Sequence, residues 1–329
     1  MKKEEKILDE LTRISNLLQD TDFALRIAKS QDAAYLEMQA QAPPEFLSEK
    51  EENNTIKKSA REEKIATNVA AFYAVECGIG LLMKKQGGTP VEWLNKIVNR
   101  QLDSNEILIL NRFANATWKA GQPFRRFERI RKDNFISAAF LSEEEIAKDY
   151  AQVNAAAKML LPAMQSVSKT DAYEQLQKLS ELLQSKQFAL HMAEHIEAAY
   201  YESIHQPVPE FFKDEEDTAT LQKSHKEEKI AINLAGFYAL ECGLSYLATA
   251  KGVAPSDVLQ SITSDKLSED DKEILERFAN ATWKAGQPFR SLDRITRKTF
   301  TCFDLLPGEE VEKDWIQVKA AAIKLSGAL

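Results

Sequence analysis

Two carboxylates stand where carboxylates are costly. Glu76 falls at the centre of a helical face made by Ile65, Val69 and Phe72, and Glu241 repeats the placement against Ile230, Leu234 and Phe237. A carboxylate among apolar neighbours must be paired, hydrogen-bonded or protonated, since an isolated one costs several kcal/mol even after relaxation. The same residues therefore serve two chemistries: an ion pair that locks a core, or a general acid or base if one side stays open to a substrate. The candidate partners are Arg112, Lys119, Arg125 and Arg129, with Arg277, Lys284, Arg290 and Arg294 in the corresponding places. Asn68 and Tyr73, and likewise Asn233 and Tyr238, lie within a turn or two of the carboxylate on its own helix and add polar groups within reach.

Other chemistry finds less support. His191 and His195 are spaced i and i+4, a geometry that can hold a metal, but the corresponding positions carry Arg26 and Ser30 and no cysteine is near. His205 and His225 also lie in the second half only. Neither a metal nor a cofactor is expected. Cys77 follows Glu76 inside an apolar helix with no retained histidine to activate the thiol. There is no Gly-rich phosphate loop, no serine elbow and no Cys-x-x-Cys, so nucleophilic catalysis is not expected.

The elements that must position these groups are written twice. Arg112 to Arg125, RFANATWKAGQPFR, returns unchanged as Arg277 to Arg290, and the same offset of 165 aligns Phe23 with Phe188, Pro44 with Pro209 and Gly87 with Gly252. Elsewhere the copies have diverged, with 15 identities in the 27 residues from Arg61 to Gly87, so unchanged retention in one stretch asks for a local cause. Ile109, Leu110, Phe113, Ala116 and Ala120 gather on one helical side. Arg112, Asn115 and Lys119 share the opposite side, with Trp118 on its flank and Gln122 one turn on; Asn280, Trp283 and Gln287 repeat this in the second copy. Exposed helical positions tolerate almost any good helix former, so retained polar residues indicate either burial against another helix or a binding surface. Gly121 and Pro123 are expected to close this helix and open a short new one through Phe127 and Ile130.

The remaining chain reads as helices. Residues 4–18 are amphipathic, Asp20 and Ser185 are N-caps, and Pro43 and Pro44 end the second helix. A charged run from Ser48 to Lys64 has a solvated look and leads into an apolar helix from Ile65 to Met83. Thr89 with Pro90 and Glu92 starts a helix, although its copy has Ala254 at the cap. Asp103 with Glu106, Ser142 with Glu145 and Asp171 with Glu174 start others, and residues 163–170 form the seam. Strand patterns are missing. The expected fold is all-α: a tandem duplication of a helical bundle, about six helices per repeat, spanning 1–164 and 166–329 and related by a pseudo-twofold axis.

The formal net charge is −8, yet Arg112 to Lys132 holds seven basic residues against one acid and Arg277 to Arg297 five against one. The remainder carries −18, so each repeat is an acidic body with one basic island. Such a balance argues against general nucleic-acid binding and favours an anionic small molecule or an acidic protein segment as partner. The opening residues lack an apolar signal region and the three cysteines are odd in number, from which a cytoplasmic protein without a membrane span is expected. The function that fits best is a non-catalytic helical repeat protein that binds an anion through its basic islands, with a glutamate-dependent enzyme and a purely structural protein as the alternatives. On the first reading, Lys119→Glu with Lys284→Glu would abolish binding and leave the fold intact.

Overall fold

The computed structural model describes residues 3–43, 45–164, 167–168, 170–212 and 218–329. Pro44, and the seam positions Gln165, Ser166 and Lys169 that separate the two expected repeats, lie outside the described residues. The chain is mostly helical. The first half contains α1 (Lys3–Gln19), α2 (Thr21–Met38), the short α3 (Glu49–Asn53), strand β1 (Thr55–Ser59), α4 (Ala60–Asn68), α5 (Ala70–Gln86), α6 (Pro90–Val98), α7 (Ser104–Arg125) and α8 (Glu143–Ala163). The second contains α9 (Ala172–Leu183), α10 (Lys186–Ser203), strand β2 (Thr220–Ser224), α11 (His225–Ile232), α12 (Ala235–Lys251), α13 (Pro255–Thr263), α14 (Glu269–Arg290) and α15 (Gly308–Ser326).

Helix starts follow their capping chemistry. Asp20, Ser142, Asp171 and Ser185 each accept a hydrogen bond from a first-turn amide, and Thr89 and Asp103 form full capping boxes with Glu92 and Glu106. Ala254 has no side chain with which to cap α13. There the carboxylate of Glu10, from the other half of the chain, accepts from Ser256 N (2.8 Å) and Ser256 Oγ (2.8 Å). At the corresponding place Gln175 accepts from Val91 N at the start of α6 (2.9 Å). Each half of the chain thus finishes a helix end of the other.

Three expectations from sequence need correction. The apolar helix from Ile65 is broken at Val69, and its copy at Asn233 and Leu234, so more helical segments occur than the expected six per repeat. Asn68 and Asn233 donate back to Lys64 O and Lys229 O at this break (3.0 Å each), a bond that competes with straight helix. Secondly, part of the charged run before it is a strand: β1 pairs with β2 in an antiparallel two-stranded sheet. Neither strand has an apolar alternation of its own; each exists because the other supplies its hydrogen bonds. Thirdly, Gly121 and Pro123 do not end their helix. α7 and α14 run on to Arg125 and Arg290, with the proline accommodated in the last turn, and 3-10 turns follow at Phe127–Arg131 and Leu292–Thr296.

Gly121 serves close approach instead. A Cβ there would lie 2.9 Å from the Phe289 ring, and one at Gly286 would lie 3.0 Å from the Phe124 ring. α7 and α14 cross against each other, with Phe113 stacked on Phe278 (4.1 Å between ring centres) and Phe124 on Phe289 (5.4 Å). Lys57 likewise faces Gln222 across the sheet. Around this crossing α2 packs on α15, α4 on α10 and α14, and α11 and α12 on α7, so elements of the two halves are interleaved. Ala60–Gln86 and His225–Lys251 are long and apolar enough to cross a membrane, but 83% and 94% of the most apolar 18 residues in each are buried among the other helices.

Candidate functional site

α7 and α14 are buried on both sides. Besides the expected apolar face, the side chains of Arg112, Asn115 and Gln122 are buried, as are Arg277, Asn280 and Gln287, while Trp118, Trp283, Arg125 and Arg290 are half-buried. The retained polar residues do not act as one surface; they separate into a sealed set and a set that reaches a cavity.

The sealed set solves the problem posed by the two carboxylates. Glu76 is 2% and Glu241 1% exposed, and Lys119 and Lys284 are 0% exposed. Lys284 Nζ donates to Glu76 Oε2 (2.5 Å), and Lys119 Nζ donates to Glu241 Oε2. The pairing is crossed: each lysine serves the carboxylate of the other half. Of the cations considered from sequence, only these two reach a core glutamate; Arg112, Arg125, Arg129, Arg277, Arg290 and Arg294 do not. The other oxygen of Glu76 accepts from Phe303 N (2.9 Å) and that of Glu241 from Ala138 N (2.8 Å). Cys77 and Cys242 add thiol bonds of 3.1 and 3.2 Å. Burial pushes the Glu241 carboxyl up, but Lys119 with the Ala138 amide outweighs it and the net shift is downward. Lys284 is pushed down by burial and raised, on balance, by Glu76. Each shift favours the charged form of the group that carries it.

The neighbouring groups are accounted for separately. Burial and then the adjacent carboxylate push the thiols of Cys77 and Cys242 well up, which leaves them unreactive. Asn68, Asn233, Tyr73 and Tyr238 do not serve the carboxylates; the two tyrosine hydroxyls have no hydrogen-bond partner among the described residues, and their rings pack edge-on against Phe300 and Phe135. Arg277 is held by Glu273 (2.8 Å) and Asp304 (2.5 Å), whereas its counterpart Arg112 faces Leu108 and Ala139 at those positions. Among the described residues, neither Glu76 nor Glu241 lines any of the three cavities described below.

A cavity of about 600 Å³ opens beside α14. Asn280, Trp283, Gln287 and Arg290 reach it from α14, Arg294 and Arg297 from the turn after it, Asp314 from α15, and Asp32 and Tyr35 from α2 of the other half. Arg294 Nε donates to Gln287 Oε1 (2.6 Å), and Arg129 Nε to Gln122 Oε1 in the first copy (2.7 Å). Burial, then repulsion from Arg290 and Arg297, pushes Arg294 down to about 10, so it remains a cation at neutral pH. Arg125, Arg129 and Lys132 repeat the crowding, with Arg129 and Lys132 both lowered by burial first and by their basic neighbours second. Among the described residues no carboxylate lies within ion-pair distance of Arg290, Arg294 or Arg297.

Asp314 was not legible as a site residue from the retained stretch. It is 7% exposed, accepts from Asn280 Nδ2 (3.1 Å), and is pushed up to about 7 by burial, an effect that Asn280 and Lys284 reduce. Its counterpart Asp149 is also raised to about 7, by burial and then by Glu145. The signal for both lay in the last helix of each copy. Glu145, Lys148, Asp149 and Gln152 recur as Glu310, Lys313, Asp314 and Gln317, spaced i, i+3, i+4 and i+7 on one face. All eight line cavities: the first four, with Asn115, Trp118 and Tyr200 of the other half, surround a smaller space of about 120 Å³. His195 lines a third, open cavity of about 650 Å³ between α8 and α10, and His191 is exposed. Compared with family models, with curated proteins and with solved structures, the chain finds no match.

Proposed function

We propose that this protein is a non-catalytic, tandemly duplicated helical protein that binds an anionic small molecule in the cavity beside α14. The observation that carries the reading is the set of three cations, Arg290, Arg294 and Arg297, that share this cavity with no carboxylate in ion-pair contact among the described residues. Crowded guanidinium groups repel one another, and an anion with two or more oxygens relieves the repulsion through charge-assisted, forked hydrogen bonds. Trp283 and Tyr35 offer flat apolar walls beside them. The reading is tested by titrating organic phosphates and carboxylates into the protein by calorimetry: one ligand per chain is expected, and Arg294→Glu abolishes binding without lowering the thermal midpoint. Binding unchanged by that substitution counts against it.

The duplication is part of the same proposal. Phe113 against Phe278, Phe124 against Phe289 and Lys57 against Gln222 are contacts between residues 165 positions apart. A residue that meets its own equivalent lies on a twofold axis, and crossed pairs such as Lys119–Glu241 with Lys284–Glu76 are the off-axis signature of a self-complementary interface. We read the chain as a fused dimer of two 165-residue copies whose cavities lie where the copies meet. The larger cavity has kept the room for a ligand.

A further inference from the structure

Deepening the anion-binding reading and resting on it, we infer that the cavity beside α14 takes an amino-bearing anion, whose carboxylate or phosphate meets Arg290, Arg294 and Arg297 and whose ammonium meets Asp314 and Asp32.

The reasoning rests on charges of both signs that one cavity leaves unpaired. Glu310 and Lys313 also line it, but they neutralise each other at 2.5 Å. Among the described residues Asp314 and Asp32 have no cation within ion-pair distance, and the three arginines have no carboxylate within it. The three arginines and the two aspartates line one space without pairing with each other among the described residues. Asp314 accepts one bond from Asn280 through Oδ2, and no other donor among the described residues satisfies its second oxygen. A ligand with anionic groups alone would bring negative charge towards these carboxyls and leave them without a paired cation, whereas an ammonium supplies one. Lys284 and the amide of Asn280 favour the ionised Asp314, while burial and the nearby Glu276 and Glu310 oppose it, so a bound cation tips the balance. Ionised Asp32 is opposed by burial and, less, by Glu51, and favoured by Lys229 and a hydrogen bond with the Asn233 side chain. The smaller cavity retains Asp149 with Tyr200 and Trp118 but, among the described residues, is not lined by Arg125, Arg129 or Lys132, so it lacks the basic half of the combination.

Four compounds test the inference by calorimetry on the full chain: phenylalanine against 3-phenylpropanoate, and phosphoethanolamine against ethyl phosphate. The amino-bearing member of at least one pair is expected to bind about tenfold or more tightly, the size of a charged hydrogen bond. Asp314→Asn removes that preference and leaves the affinity for the amine-free member within about twofold; Asp32→Asn, at a half-buried position, reduces it and guards against a folding defect in the first variant. Equal or better binding of the amine-free members overturns the inference and leaves the anion-binding reading standing. Loss of affinity for both members alike in Asp314→Asn also overturns it, and no binding by any of the four removes both readings.

Discussion

The ammonium of Lys284 lies 2.5 Å from a carboxylate oxygen of Glu76, 208 positions away in the chain, and both groups are sealed from solvent. Two charges taken out of water are held by each other, by an amide and by a thiol. Removing one partner leaves the other uncompensated, so Lys284→Met is expected to cost about 3–5 kcal/mol in urea unfolding. Adding Glu76→Met recovers part of that loss only, because Phe303 N and the Cys77 thiol then lack their acceptor. Lys119→Glu and Lys284→Glu, which from sequence promised a folded protein without binding, instead set carboxylate against carboxylate and are expected to unfold it. A folded Lys284→Met with wild-type stability would contradict the pairing.

The pH dependence follows from the direction of the shifts. Glu241 is depressed below its ordinary value of 4.5, so its contribution is fully present above that pH and is lost as pH falls through the lower folded value. Lys284 is raised above 10.5, so its contribution is fully present below that pH and is lost as pH rises through the higher folded value. Unfolding midpoints measured down the acid range should fall steeply in the wild type and less steeply in Glu241→Gln. Equal slopes would mean that Glu241 is not ionised in the core.

Gly121→Ala tests the crossing of α7 and α14. Alanine gains about 1 kcal/mol of helix propensity, yet its methyl meets Phe289 at 2.9 Å, and overpacking costs about 1–3 kcal/mol. A net loss of about 1 kcal/mol is expected, relieved by Phe289→Leu in the same chain. Gly286→Ala, with its nearest contact at 3.0 Å, should cost less. A Gly121→Ala protein more stable than the wild type would remove the close-approach account.

Glu10 caps a helix that its own half does not contain. Glu10→Ala should cost about 1 kcal/mol, the worth of an N-cap. Ala254→Thr in that background should recover most of it by restoring a local cap, while adding little to the wild type. Denaturation of the four proteins measures the coupling, and strict additivity would show that the two groups serve different ends.

Residues 1–164 carry both Glu76 and Lys119. Expressed alone, this half is expected to fold only as a homodimer with Glu76 paired to Lys119 of a second copy, and its thermal midpoint should rise with concentration. A folded monomer by light scattering would defeat the fused-dimer proposal.

Much of the helical framework was readable because its causes are local. Asp20, Thr89, Asp103, Ser142 and Asp171 cap where their side chains reach the next turn, whatever the rest of the chain does. Glu76 could be singled out, and its need for a cation stated, from its apolar neighbours alone. Asp314 and Tyr35 could not be joined to Arg294, since nothing within one helix says which faces of three helices enclose a common space.

What the sequence determined by itself was the helices and the obligation of two carboxylates to find partners, short-range consequences of side-chain type and spacing. Only the tertiary structure decided that Lys284 rather than Lys119 answers Glu76. Two copies that carry the same lysine offer the same pairing energy, and the choice between them is made by how the chain crosses itself. The same crossing turned a charged run into a strand, kept Gly121 inside its helix, and brought arginines and aspartates from separate elements to one cavity.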